Sequence, residues 1–143
     1  MREILFRGKR VDNGEWVEGY YLKANNHWHK KGIHEDWIAT FTIQNGGWCN
    51  VVGKHAVIPE TVGQYTGLTD KNGTKIFEGD IVKYGDTINK VVFEQRNGTA
   101  YFGVAMDKTE TWHFCYLTNS AGMEIIGNIH DNPELLERGC GNG

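Results

Sequence analysis

The sequence predicts a mainly β protein, because turn-forming Asn-Gly pairs separate short apolar runs along the chain. Asn-Gly occurs five times, and both residues accept the positive φ angles that tight hairpin turns require. No stretch places apolar residues at helical spacing over three turns, so long amphipathic helices are not expected. Aromatic residues make up 12% of the 143 residues, which is enough to build a core and argues against disorder.

The apolar runs between turns predict about nine short strands, the pattern of an all-β sandwich or a small barrel. Alternation along the second run puts Trp16, Glu18, Tyr20 and Leu22 on one side of the strand. The expected strands are Glu3–Lys9, Glu15–Lys23, Trp37–Ile43, Trp48–Val57, Ile76–Tyr84, Asn89–Glu94, Thr99–Met106, Trp112–Leu117 and Met123–Ile129.

A short helix is predicted near the end of the chain. Asn132 can cap it, Pro133 suits the first helical position, and Gly139 can end it. The expected helix is Pro133–Glu137, and the polar, glycine-rich residues 138–143 are expected to form a flexible tail.

The charge balance changes sign near Pro59, which predicts a boundary between two small halves. Residues 1–58 carry 8 basic and 6 acidic side chains, or 8 − 6 = +2, whereas residues 59–137 carry 6 basic and 12 acidic, or 6 − 12 = −6. We expect an N-terminal β subdomain over 1–58 and a C-terminal subdomain over 59–137, each barrel-like, either SH3-like or a sandwich. Halves this short bury little surface alone, so they should share a core or a partner.

The composition argues against several classes of protein. No apolar run approaches the roughly 18 to 20 residues of a membrane helix, and the charged N-terminus lacks a signal-peptide apolar segment. We therefore expect a cytoplasmic protein with no membrane partner. Cys49, Cys115 and Cys140 are odd in number and widely spaced, which fits neither a disulfide framework nor a metal knuckle. No cofactor is predicted.

One cluster of titratable side chains is a candidate metal site. His27 and His29 would share a strand face, and a tight turn would bring His34 close to them. Two or three imidazoles with a neighbouring carboxylate could bind zinc, nickel or manganese, which makes a metal-dependent hydrolase one alternative function. Adjacent lysines oppose a divalent cation, so an exposed polar hairpin tip is the favoured interpretation.

The basic opening of the chain is a candidate nucleic-acid site. Arg2, Arg7, Lys9 and Arg10 could contact phosphates beside neighbouring aromatic side chains, which gives a second alternative function. The acidic second half repels phosphate, and charged residues commonly guard a strand edge. Nucleic acid is therefore a partner that the sequence does not favour.

Three segments resemble the YopX family of small phage and prophage proteins. They are Glu3–Gly8, then Thr61–Gly73 together with Ile76–Val82, and finally Glu124–Leu136. The resemblance implies a mainly β fold and a phage or prophage origin, and it supplies no established activity and no catalytic residue. We interpret the matching positions as structural, either at turns, bulges and close backbone approaches or as side chains that bond nearby amides. They are Gly63, Gln64, Tyr65, Gly67, Asp70, Gly73, Gly79, Asp80, Gly127, Asn128 and Pro133.

The sequence thus favours a non-enzymatic accessory protein of the phage type, inside the bacterial host, that binds protein. The partner is expected to be a second copy in a homo-oligomer, or another phage or host protein. Short edge strands and abundant aromatics support this expectation. The aromatics are Trp16, Tyr20, Trp28, Trp37 and Trp48.

Overall fold

The computed structural model describes residues 3–23, 35–44, 46–96, 98–106, 113–116 and 120–136. Within these residues the chain forms two antiparallel sheets, which confirms the prediction of a mainly β fold. The chain divides into two compact units, Met1–Gln64 and Tyr65–Gly143. The halves predicted over 1–58 and 59–137 stay a prediction, and the predicted tail over 138–143 lies outside the described residues.

The first sheet has six strands in the order β4-β3-β2-β1-β5-β6. Neighbouring strands are antiparallel, and a 3-10 turn at Pro59–Thr61 joins β4 to β5. The strands are β1 (Phe6–Lys9), β2 (Trp16–Lys23), β3 (Asp36–Gln44), β4 (Trp48–Ala56), β5 (Gly63–Thr69) and β6 (Lys75–Phe77).

The second sheet has five strands in the order β10-β9-β8-β7-β11. A 3-10 turn at Ser120–Gly122 leads into the last strand. The strands are β7 (Asp80–Tyr84), β8 (Thr87–Arg96), β9 (Thr99–Met106), β10 (His113–Tyr116) and β11 (Glu124–Asn128).

The prediction of one continuous strand over Ile76–Tyr84 is wrong, because the chain bends between β6 and β7. Gly79 has a φ angle of +92°, a conformation that an L side chain rarely adopts. Its N–H donates to the Val91 carbonyl at 2.9 Å, and its own carbonyl accepts the Ile129 N–H at 2.9 Å. Backbone partners on both sides therefore hold the bend.

The sequence does not predict strand β5, because glycines such as those in it are typical of turns. Gly67 has a φ angle of +87°, and the pairing of β5 with β6 shifts register between Tyr65 and Thr69. The glycine thus sits at an irregularity inside a strand instead of ending the strand.

A helical turn over residues 134–136 lies where the C-terminal helix is predicted, and Glu137 falls outside the described residues. Both sheets, as described, have edge strands, so the barrel-like form of the halves stays a prediction. No helix among the described residues is long and apolar enough to cross a membrane.

The first unit buries Ile38, Ala39 and Val57, each at most 1% exposed. Two glycines permit this close packing. A Cβ at Gly19 would overlap the Ala39 carbonyl oxygen, and a Cβ at Gly8 would lie 3.0 Å from the Val57 Cβ. A larger residue in place of Gly8 in β1 or Gly19 in β2 would therefore crowd the core residues Val57, Ile38 and Ala39.

The second unit has an aliphatic core contributed by β6, β7, β8 and β9 and by the residue that precedes β11. Burying one such side chain fully contributes about 1.5–3 kcal/mol, so these residues dominate the stability of the unit. The core residues are Ile76, Val82, Val91, Val104 and Met123, with Leu68 and Ile125 packed against them.

Candidate functional site

One face of the sheet in the first unit carries aromatic and apolar side chains. Alternation along β2 puts Trp16, Tyr20 and Leu22 on this side. The register of β2 with β3 places Trp37 opposite Leu22, and the Phe41 ring meets the Tyr20 ring edge-on, with 5.1 Å between centroids. We call these five side chains the aromatic face.

The aromatic face is partly open to solvent. Tyr20 is 52% exposed and Leu22 is 48% exposed, whereas Trp16, Trp37 and Phe41 are half-buried. Tyr20 and Leu22 thus remain half in water beside the half-buried Phe41 and Trp37, while the exposed Glu18 lies between Trp16 and Tyr20 on the same face. Adjacent exposed apolar side chains make this face a candidate site for binding another molecule.

Two of the basic residues predicted to bind nucleic acid border the aromatic face. The Arg7 Cζ lies 4.7 Å from the Trp16 ring centroid, and the Lys9 Nζ lies 5.8 Å from it. Both distances are within the range of a cation–π interaction. The structure therefore brings Arg7 and Lys9 together around one indole ring, whereas Arg2 lies outside the described residues.

The fourth predicted basic residue, Arg10, is bound to a carboxylate. Its Nε donates to Asp12 Oδ1 at 3.0 Å, and its Nη2 donates to Asp12 Oδ2 at 2.6 Å. The hydrogen bonds from Arg10 hold the pKa of the Asp12 carboxyl below its ordinary value. Asp12 thus offsets the charge of Arg10.

A groove of about 470 Å³ opens where β4 ends and β1 runs into its turn. Trp37 of the aromatic face forms part of its wall. Val11 and Ala56 contribute apolar groups to the lining of the groove, and Arg10, Asp12 and Lys54 contribute charged groups. The lining residues are Arg10, Val11, Asp12, Trp37, Lys54, His55 and Ala56.

In the second unit, the motif residue Asp70 is 5% exposed and binds backbone amides. Its Oδ1 accepts the N–H groups of Asn72 and Thr74, both at 2.9 Å, and its Oδ2 accepts the Ile125 N–H at 3.1 Å. Burial acts to raise the pKa of this carboxyl, but the three N–H donors outweigh burial and lower the pKa. Asp70 therefore connects its own turn to β11.

Two further motif side chains also bind backbone. Asp80 is 1% exposed, and its Oδ2 accepts the Phe77 N–H at 2.8 Å across the Gly79 bend. The Asn128 Oδ1 accepts the His130 N–H at 3.0 Å and the Asp131 N–H at 2.9 Å. These polar groups are occupied in holding turns.

The other motif positions lie at strand pairings and turns. Tyr65 stacks on Phe77 with 5.5 Å between ring centroids, and a Cβ at Gly127 would lie 2.9 Å from the Leu135 Cδ1. Gly73 is in a turn with a φ angle of +79°, and Pro133 precedes the helical turn. Gly63 and Gln64 pair with Arg7 and Phe6 in the first sheet.

The candidate metal ligands His27, His29 and His34 lie outside the described residues. Among the residues that the structure does describe, no three His, Cys, Asp or Glu side chains are close enough together to hold a metal ion.

Part of the aromatic face is predictable from the sequence, but the groove is not. Alternation alone placed Trp16, Tyr20 and Leu22 together. Phe41 and Lys54 join them only through the pairing of β2, β3 and β4, which a single sequence does not reveal.

Comparison with known proteins assigns the family. The family model described as "YopX protein" matches residues 5–137, which is nearly the whole chain. The chain belongs to the YopX family. The resemblance carried by the three segments is thereby confirmed.

No curated protein matches the sequence. Among solved structures, the crystal structure of protein EF1440 from Enterococcus faecalis is similar to this YopX-family chain at 22% sequence identity. The match covers 95% of this chain and 99% of that chain, with a TM-score of 0.47.

Proposed function

We propose that this YopX-family protein is a non-enzymatic phage or prophage accessory protein that acts by binding protein through the aromatic face. The partner is a second copy of the chain, or another phage or host protein. The observation that carries the proposal is the adjacent exposure of Tyr20 and Leu22, with the Phe41 ring packed edge-on against Tyr20. Tyr, Trp, Phe and Arg are the residues enriched in the buried centre of protein interfaces.

The distribution of polar groups supports the same choice. In the second unit, Asp70 and Asp80 are buried and bound to backbone amides, so they are not available to a substrate. In the first unit, the aromatic side chains stand on hydrogen-bonded strands, which hold their backbone in place before binding.

Size-exclusion chromatography with light scattering on the full chain tests the proposal. We expect the wild type to be a dimer or larger at tens of micromolar, and a Tyr20→Ser/Leu22→Ser double variant to be monomeric. Ile4→Ser is the matched control because Ile4 is 57% exposed but lies outside the aromatic face. This control should associate like the wild type.

A pull-down from the native host during phage induction tests binding to another protein. We expect an identified protein to be retained by the wild type and by Ile4→Ser, and lost by the double variant. A wild type that stays monomeric at about 100 µM and captures no protein that depends on Tyr20 and Leu22 would overturn the proposal.

A second candidate function, binding of single-stranded nucleic acid, is favoured by the position of Arg7 and Lys9 around Trp16. Against it, Glu18 lies opposite Arg7 on the same face, and Asp12 binds Arg10. Fluorescence anisotropy with labelled 20-nucleotide strands at two salt concentrations distinguishes the two functions. Steeply salt-dependent binding that Arg7→Gln/Lys9→Gln removes would favour nucleic acid.

A further inference from the structure

The groove beside the aromatic face has rigid walls. Its outer wall is the turn after β1, in which the Gly14 N–H donates to the Arg10 carbonyl at 2.9 Å. The Val11 N–H donates to the Ala56 carbonyl at 2.9 Å, which ties this wall to the end of β4. Because backbone hydrogen bonds join these walls before a ligand binds, ordering them on binding costs little conformational entropy.

The charged groups of the groove leave one positive charge in excess. Arg10 and Asp12 form a two-point ion pair, and Lys54 is exposed. His55 also lines the groove and is counted as neutral in this formal balance. The register places it opposite Ile38, and its Nε2 lies 3.1 Å from where a Cβ of Gly53 would be.

The remaining surface of the groove is apolar. The half-buried Trp37 provides an indole surface, and Val11, which is 41% exposed, faces the same space together with Ala56. The volume of about 470 Å³ falls within the size range of natural ligand clefts, roughly 300–1,000 Å³. It has room for one or two side chains of a peptide.

We propose that this groove binds a segment of a protein partner in which one carboxylate side chain stands next to an apolar or aromatic side chain. The carboxylate pairs with the Lys54 ammonium, and the apolar group packs against Trp37, Val11 and Ala56. The exposed Asp12 carboxylate accepts a backbone N–H of the segment. This inference rests on the proposed protein-binding function and specifies the chemistry of the partner.

Charge decides between a carboxylate and a phosphate in this groove. A singly charged carboxylate matches the excess of one positive charge. A terminal phosphate, as in a nucleotide, carries nearly two negative charges at neutral pH and would lie beside the ionised Asp12. The repulsion from Asp12 therefore favours an acidic peptide over a nucleotide.

Fluorescence polarisation with synthetic peptides on the full chain tests the inference. The first probe is a fluorescein-labelled Gly/Ser octapeptide with one phenylalanine next to one glutamate, and the second has glutamine instead of the glutamate. We expect the wild type to bind the glutamate peptide about fivefold more tightly, the size of effect that an exposed ion pair provides.

Lys54→Gln should remove this preference, because the two peptides then meet the same uncharged side chain. Lys83→Gln is the matched control, since Lys83 is exposed on β7 of the other unit and should leave the preference unchanged. Asp12→Asn should strengthen binding of the glutamate peptide, because it removes the negative charge from the groove.

The inference is overturned if the wild type does not distinguish the two peptides, if Lys54→Gln keeps the preference, or if a labelled oligonucleotide displaces the peptide. The proposed function has a separate readout in Tyr20 and Leu22, which do not line the groove. Intact association together with a failed peptide test would therefore refute the proposal that the groove binds an acidic segment, and the proposed function would stand. Loss of both association and peptide preference in Lys54→Gln would support the inference and place the acidic segment in a second copy.

Discussion

The two units of this YopX-family protein use their polar side chains in different ways. In the second unit, the carboxylates of Asp70 and Asp80 are buried and bound to backbone N–H groups. In the first unit, Asp12 and Lys54 lie at the surface around a groove, and aromatic side chains stand exposed beside it.

This difference separates residues that hold turns from the residues that we propose to bind a partner. A buried carboxylate whose oxygens already accept amide N–H groups is costly to disturb and has little capacity left for a ligand. The motif residues Asp70 and Asp80 therefore hold turns in the second unit. The surface proposed to bind protein lies in the first unit, between the first and second segments that resemble the family.

The largest expected effect is on the second unit, from Asp70→Asn. An Asn side chain has one acceptor oxygen and one NH₂ group. The NH₂ group would therefore face a backbone N–H that a carboxylate oxygen of Asp70 accepts in the wild type. We expect a loss of about 3 kcal/mol in the free energy of unfolding, the cost of unpaired buried groups. Urea unfolding followed by circular dichroism measures it, with Asp86→Asn, in an exposed turn, as the control.

The same variant should also alter acid stability. The pKa of Asp70 is lowered in the folded state, so the stability that its ionised form contributes is complete above about pH 4, the unfolded value. That contribution is lost as the pH falls through the lower, folded pKa. Asp70→Asn should therefore lose less stability than the wild type between pH 5 and pH 2; equal acid sensitivity would contradict the role assigned to Asp70.

A smaller effect is expected in the first unit from Gly19→Ala. The new Cβ would overlap the Ala39 carbonyl oxygen and lie 3.0 Å from the Ile38 Cγ2, so β2 and β3 must separate. We expect about 2 kcal/mol of destabilisation, as for other overpacked cores. Gly8→Ala is the matched variant with a smaller expected loss, because its Cβ would lie 3.0 Å from the Val57 Cβ, a tight contact with a side chain instead of an overlap with backbone. Equal effects of the two variants would show that the backbone contact at Gly19 is not limiting.

The smallest expected effect is that of Tyr21→Phe, also in the first unit. The Tyr21 hydroxyl donates to the Asp36 carboxylate, and this hydrogen bond, with burial, raises the pKa of Tyr21 to about 12. Removing the hydroxyl should cost about 1 kcal/mol, since Asp36 is buried and loses a donor.

Alkaline titration provides a second readout for Tyr21. The folded pKa lies above the unfolded value of about 10, so the stabilisation is complete below pH 10 and is lost as the pH rises through about 12. We expect Tyr21→Phe to flatten the fall in unfolding free energy between about pH 9.5 and 12 relative to the wild type. A Tyr21→Phe curve that is parallel to the wild type would argue against the bond to Asp36.

The local features of this protein can be predicted from its amino-acid sequence. Asn-Gly turns and apolar alternation predicted most strands, because both depend on residues a few positions apart. Alternation also put Trp16, Tyr20 and Leu22 on one side of β2. The sequence also indicated a turn or bulge at Gly79, where the structure has a bend. The strand nature of Gly63–Thr69 was missed, since a glycine alone does not tell a turn from an irregularity within a strand.

Contacts between residues far apart in the sequence depend on how the strands pair in the folded protein. The register of β2, β3 and β4 brings Phe41 to Tyr20, and the hydrogen bond from Val11 to Ala56 brings the turn after β1 to the end of β4. Asp70 likewise reaches Ile125, 55 positions away along the chain. Register is set by the need to bury side chains on several strands at once, and that requirement belongs to the whole sheet rather than to any segment of the sequence.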